Sequence, residues 1–151
     1  MTDRPETAER LDLAAHPEGG WFRRTWTSPN AVETPNGLRP AATCIHYLLQ
    51  AEERSEWHVV SSDELWLWHG PGRLELSLGG DGAEPAEPTI VVLGPTDAAQ
   101  VLVPGGVWQA ARPLDAAEVL VSCFVSPGFD FADWRLAESP TLIQNPNSIQ
   151  E

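Results

Sequence analysis

Along the chain, short runs of aliphatic, aromatic and β-branched residues alternate with polar clusters that contain glycine or proline. The clearest run is Arg73 to Leu78. There Leu74, Leu76 and Leu78 fall on one face and Arg73, Glu75 and Ser77 on the other, the period of two that a half-buried strand requires. The same pattern predicts strands over 21–27, 43–49, 57–60, 64–69, 89–93, 100–103, 107–111 and 118–125. His16-Pro17-Glu18-Gly19-Gly20, Ser61-Ser62-Asp63, Gly70-Pro71-Gly72 and Gly105-Gly106 read as turns: proline restricts the residue before it and glycine releases the backbone. Residues 28–40, with three prolines and an Asn-Gly pair, read as a loop, and 79–88 as an acidic one. Leu11 and Leu13 support only a short helix within 5–15. Short strands about ten residues apart, with no long helical period and no linker, describe one all-β domain over 1–151, a sandwich or barrel. Its ends are a short N-terminal segment, 1–15, and a polar tail, 139–151, that either packs along the surface or frays.

The chain has 151 residues, enough to bury a core without disulfides or a structural metal. Against 22 acidic side chains stand 9 arginines and no lysine, a net charge of −13. That charge repels phosphate backbones and anionic lipid, which argues against nucleic acid and membrane partners. The N-terminal MTDRPETAERLDL lacks the apolar run of a secretory signal, and a cytoplasmic location is expected. Cys44 and Cys123 lie in apolar strand-like runs without motif spacing and read as buried, reduced thiols.

The candidate chemistry centres on Trp57-His58-Val59-Val60-Ser61-Ser62-Asp63-Glu64-Leu65-Trp66. His58 and Glu64 flank a tight polar turn, so adjacent strand ends can bring them together. If Glu64 faces inward, so do Trp66 and Trp68, and a carboxylate between indoles reads as a ligand cavity. The plainer alternative is a His–Glu pair that fixes a hairpin. After the Pro104-Gly105-Gly106 turn, Gln109 offers one acceptor and two donors to a ligand or water. Arg23 can clamp a carboxylate or phosphate with its planar fork, or equally hold Glu18 or Asp130 in an ion pair. His46 is either a core histidine or a further ring nitrogen for the site.

These segments resemble the two motifs of the cupin superfamily. His58 stands at the first motif histidine, Val60 where the second belongs, and Glu64 at the glutamate, with Gly70 near the closing glycine. In the second motif Pro104 and Gly106 match and Gln109 replaces the histidine. Nearly the whole chain is similar to an uncharacterised cupin family, domain of unknown function 985. The resemblance rests on His16-Pro-Glu-Gly-Gly-Trp-Phe-Arg23, Ser55-Glu-Trp-His58, Ser62-Asp-Glu-Leu-Trp66, Pro104-Gly-Gly-Val-Trp-Gln-Ala110 and Ser126-Pro-Gly-Phe-Asp-Phe131. It departs at Arg24, where an acidic residue is usual, and at Trp26, where tyrosine is.

The resemblance implies a double-stranded β-helix (jelly-roll) barrel of about ten strands, a fold similar to sugar-nucleotide epimerases, and a homodimer. Because valine and glutamine replace two imidazoles of the usual metal set, no metal or other cofactor is expected. A divalent ion, if bound, would fall to His58, Glu64 and Gln109, with His46 as a possible further ligand. Without a metal, His58 becomes a general base, since its unperturbed pKa lies near neutrality. Glu64 is then its acid partner, and Arg23, Trp66, Trp68, Gln109 and His46 surround the ligand. That set suits an epimerase or isomerase acting on a small sugar-like or carboxylated molecule. A non-catalytic binding or sensing cupin and a weakly metal-dependent enzyme are the alternatives.

Overall fold

The structure is a computed structural model that describes residues 3–138. The expected tail at 139–151 lies outside the described residues. The chain begins with helix α1 (Glu6–Leu11) and then runs through strands β1 (Ala14–Ala15), β2 (Trp21–Thr27), β3 (Ala31–Thr34), β4 (Gly37–Pro40), β5 (Thr43–Leu49), β6 (Ser55–Val60) and β7 (Asp63–Pro71). β8 (Leu74–Leu78), β9 (Thr89–Leu93), β10 (Gln100–Val103), β11 (Gln109–Pro113), β12 (Val119–Ser126), a 3-10 turn (Phe131–Asp133) and β13 (Trp134–Leu136) follow.

The strands form a six-stranded sheet, β1-β2-β5-β12-β7-β10, and a five-stranded sheet, β13-β6-β11-β8-β9, while β3 and β4 pair as a separate hairpin. Every ladder is antiparallel. The architecture is all-β, with one core shared by both sheets. The hydrogen bonds run within two separate sheets, where the sequence led us to expect one closed barrel.

Most expected strands appear within two residues of their bounds. The loop expected over 28–40 instead contains the β3–β4 hairpin: Asn36-Gly37 makes the turn, with Gly37 at φ +115°, and Val32 pairs with Arg39. The strand expected at 107 begins at Gln109 because Val107 still bonds back to Pro104 and Trp108 to Gly80. α1 spans six residues and stays short because Ala8 and Leu13 suffice to seat it against Leu48 on the six-stranded sheet.

The inner positions of the two sheets interdigitate. Tyr47, Leu49, Trp66, Val121 and Cys123 from one sheet meet Leu74, Leu76, Leu93 and Ala111 from the other. Strand alternation then carries each inner row past this apolar layer to the opposite end of the intersheet space: Tyr47 leads to Ile45 and Thr43, Cys123 to Val125, and Trp66 to Glu64. At that end the chain after β12 folds across the opening. A part-buried ion pair between Arg39 of β4 and Asp133 (Nε–Oδ2 2.8 Å, Nη2–Oδ1 3.0 Å) ties it down, and Asn36 adds a donor to Asp133 at 3.1 Å.

Candidate functional site

The opening holds a cavity of about 50 Å³. His58, Glu64 and Glu18 supply its buried polar groups, Phe22, Phe129, Phe131 and Trp134 its aromatic wall, and Arg24 also lines it. Glu18 gets there through the turn at 16–20. Gly19 and Gly20 adopt φ +109° and +77°, and a Cβ at Gly19 would stand 2.0 Å from the Arg54 carbonyl, so glycine alone permits so close an approach to β6. The Glu56 N–H then donates to the Glu18 carbonyl (2.7 Å), and the Tyr47 hydroxyl donates to Gly19 O. Glu18 is 7% exposed. Its carboxylate accepts from Ser55 Oγ and from Trp134 Nε1 (3.3 Å).

His58 is 2% exposed. Its Nδ1 lies 2.7 Å from the Glu56 carbonyl, which can only accept, so Nδ1 carries the proton. Nε2 is left facing Glu18 Oε1 at 3.5 Å. His16 shows the opposite tautomer. Its Nδ1 accepts the Glu18 backbone N–H at 3.0 Å, which makes its 3.5 Å approach to Glu18 Oε1 a contact between two acceptors and not an ion pair. Packed against Phe22 (4.5 Å between ring centroids) and Tyr47 (5.6 Å), His16 is held below its ordinary pKa, chiefly by burial. It is a neutral structural ring.

Glu64 sits across the same cavity. Its Oε1 accepts from Gln109 Nε2 (2.8 Å), and Gln109 Oε1 accepts from Trp66 Nε1 (2.7 Å). Because an indole N–H can only donate, this chain fixes which way the Gln109 amide points. Burial pushes the Glu64 carboxyl up from 4.5; Glu18 adds to the rise, while His58, Gln109 and Cys123 oppose it. The Cys123 thiol is itself pushed well above 9, first by burial and then by Glu64, which leaves it unreactive.

A folded carboxyl that titrates above its unfolded value makes the protonated form the one that favours folding. Glu64 therefore stabilises the fold most at pH below about 4.5, and that contribution is lost as pH rises through its raised folded pKa. Glu64→Gln keeps an acceptor for Gln109 and removes the titration. Urea unfolding between about pH 4 and pH 8 is expected to show the parent losing ground to this variant as pH rises; parallel stability curves would contradict a raised Glu64.

Of the residues expected from sequence, His58 and Glu64 line the cavity, whereas Trp66 and Gln109 stand behind Glu64 as its support. Trp68 packs against the apolar layer and donates its Nε1 proton to Gly72 O (2.8 Å), so it does not line the cavity. Arg23 and His46 are paired in register on the outer face of the six-stranded sheet. There His46 approaches His69 (6.4 Å between centroids), and His69 Nε2 lies 2.6 Å from Ser122 Oγ. Neither reaches the cavity. The ion pair of Arg23 with Glu18 or Asp130 does not form among the described residues: Glu18 is engaged as above, and Asp130 caps the 3-10 turn through Ala132 N–H. Cys44 and Cys123 are both free, though Cys44 is only half-buried.

The alternative metal set does not fit. Gln109 Oε1 is committed to Trp66, its amide N–H₂ faces Glu64, and His46 is on the wrong face. Among the described residues no group of three or more His, Cys, Asp or Glu side chains is placed to hold a metal ion. No helix among them is long and apolar enough to cross a membrane. Glu18, Arg24, Tyr47 and the Phe129–Trp134 wall were not anticipated as site residues. The one sequence signal for Glu18 is a carboxylate set immediately before two glycines and an aromatic strand.

Two facing antiparallel sheets with a polar site at one end of the space between them define a cupin-type protein. The family described as Cupin superfamily (DUF985) matches residues 5–137, and the chain belongs to it. A hypothetical protein from Leishmania major is 30% identical, with a TM-score of 0.80 over 93% of this chain and 90% of that one. A Shewanella oneidensis protein is 29% identical, with a TM-score of 0.81 over 98% and 93%. Oxalate decarboxylase of Bacillus subtilis, 15% identical with a TM-score of 0.60 over 91% of this chain and 35% of that one, shares the fold. No curated protein matches the chain.

Proposed function

We propose that this protein binds a small polar molecule between its sheets, arranged as a double-stranded β-helix cup, and moves a proton on it as an epimerase or isomerase. The observation that carries the reading is one cavity lined by an imidazole and two buried carboxylates, His58, Glu18 and Glu64. With its Nδ1 proton fixed on Glu56 O, His58 presents Nε2 as a base. It takes a proton from a carbon next to a carbonyl, and Glu18 stabilises the imidazolium that forms. Glu64, whose carboxyl burial pushes up from its ordinary value, gives a proton to the carbonyl oxygen to complete an enol. The His58 imidazolium then returns its proton by one of two routes. It goes to the other face of an enol that has turned in the cavity while Glu64 recovers the oxygen proton, or to the former carbonyl carbon while Glu64 takes the proton of the adjacent hydroxyl. Each route yields an isomer. Side chains supply every proton in this scheme.

A second reading is a binding module without turnover. It draws support from the absence, among the described residues, of any buried side-chain nitrogen or oxygen lacking a hydrogen-bond partner, as in a network built to stay still. One experiment separates the two: small hydroxy acids, oxo acids and aldoses are incubated with the protein in deuterated water and followed by NMR. Loss of a C–H signal supports the enzyme, binding without exchange supports the module, and no binding at all overturns both. The proposal includes a cytoplasmic homodimer. The free thiols suit a reducing compartment. Trp26, 47% exposed and stacked on Phe124 at 6.3 Å, offers an apolar face on the outside of the six-stranded sheet for a second copy.

A further inference from the structure

We propose that the cavity selects short carboxylic acids, two to five carbons long, and that Arg24 is the residue that recognises them. The inference rests on the pocket reading above and names its ligand class. Four arginines are bound to carboxylates: Arg4 to Asp12, Arg39 to Asp133, Arg73 to Asp115 and Arg112 to Glu75. Arg10, Arg23, Arg24, Arg54 and Arg135 form no ion pair among the described residues, and of these five Arg24 is the one that lines the cavity. One Nη2–H donates to the Phe129 carbonyl at 2.9 Å. That bond anchors the guanidinium to the segment that walls the cavity it lines, and the residue as a whole is exposed. A planar fork held this way matches a carboxylate.

Charge sets the orientation. Glu18 and Glu64 line the buried end, so an anionic group belongs at Arg24, while a carbonyl or hydroxyl oxygen points inward to the Glu64 carboxyl. The net charge of −13 does not override this, because at physiological salt fields fade over about 8 Å and the guanidinium acts in contact. Size sets the length. A cavity of about 50 Å³ has room for about three to five water-sized groups, which favours a short acid over a hexose or nucleotide. Ile45, Val60, Val125 and Phe22 suit a short apolar body. Small 2-oxo and 2-hydroxy acids meet all three conditions.

The test uses three probes of one shape: lactate, its neutral amide lactamide, and the cationic alaninamide. Each is titrated into the full-length protein by calorimetry and tryptophan fluorescence at neutral pH. Lactate is expected to bind at least about tenfold more tightly than the other two, about the worth of one charge-assisted hydrogen bond. Arg24→Gln should abolish that preference, and Arg24→Lys should retain part of it. Because the side chain is exposed, both variants should keep the parent thermal unfolding curve. Equal binding of lactamide or alaninamide, or unchanged lactate affinity in Arg24→Gln, would overturn the inference. If none of the three binds while another compound still exchanges its C–H proton, the carboxylate class alone falls. If nothing binds or exchanges, the pocket reading falls with it.

Discussion

Replacing His58 by asparagine is expected to slow proton exchange on a bound substrate by about 10²-fold or more, the scale of losing a general base. The fold should survive. Asparagine can still donate to the Glu56 carbonyl that now receives the Nδ1 proton at 2.7 Å, so the structural share of the side chain is kept and the Nε2 lone pair alone is removed. Ligand affinity is then expected to change much less than rate. This separates the base from a residue that only shapes the cavity, whose loss would raise Kd and leave the rate constant for bound substrate alone. The measurement is deuterium exchange under saturating ligand, with parent and variant compared at equal occupancy. An unchanged exchange rate would reduce His58 to a structural residue held between the Glu56 carbonyl and Glu18.

The second large effect falls on stability. Gln109→Leu, close in volume, should lower unfolding free energy by about 2–6 kcal/mol, because it strips partners from two buried groups at about 1–3 kcal/mol each. One is the Trp66 indole N–H, on a side chain 1% exposed; the other is the Glu64 carboxyl, now held at 2.8 Å. For a domain of this size the loss corresponds to a fall in Tm of about 10 °C. From sequence, Gln109 reads as a direct ligand partner, and its truncation would then cost affinity. Its place behind Glu64 shifts the expected readout to thermal unfolding. A Tm within about 2 °C of the parent would show that water replaces the amide.

Strands were legible wherever composition and punctuation agreed. β2, with Trp21, Phe22 and Trp26 between two glycines and a proline, matches its expected bounds, as do β5, β9 and β10. β3 and β4 were obscured by three prolines, although Asn36-Gly37 carried the hairpin signal. The face of β2 was harder to read. Alternation alone cannot say whether Arg23 or Arg24 points inward, since a shift of one residue exchanges the two faces. The ladder to β5 also slips between Arg24 and Trp26. His58 and Glu64 could be found because one short turn joins their strands. Glu18 could not: it reaches His58 only because a turn 40 residues upstream packs on β6, and nothing in local sequence records that contact.

The Arg39–Asp133 clasp means that two parts of the cavity have separate origins. The acid–base groups come from the turn at 16–20 and from β6 and β7, whereas Phe129 and Phe131 belong to a strap after β12 that Asp133 fastens to a hairpin outside both main sheets, and Trp134 opens β13, the edge strand beside β6. Among the described residues the strap meets the acid–base groups in two ways: the Trp134 indole donates to Glu18, and β13 pairs with β6 beside His58. Such a layout is evolvable: substitutions at Phe129 and Phe131 can alter which molecules are admitted while the proton-transfer geometry is inherited unchanged. A lineage can therefore explore new substrates without first rebuilding its chemistry.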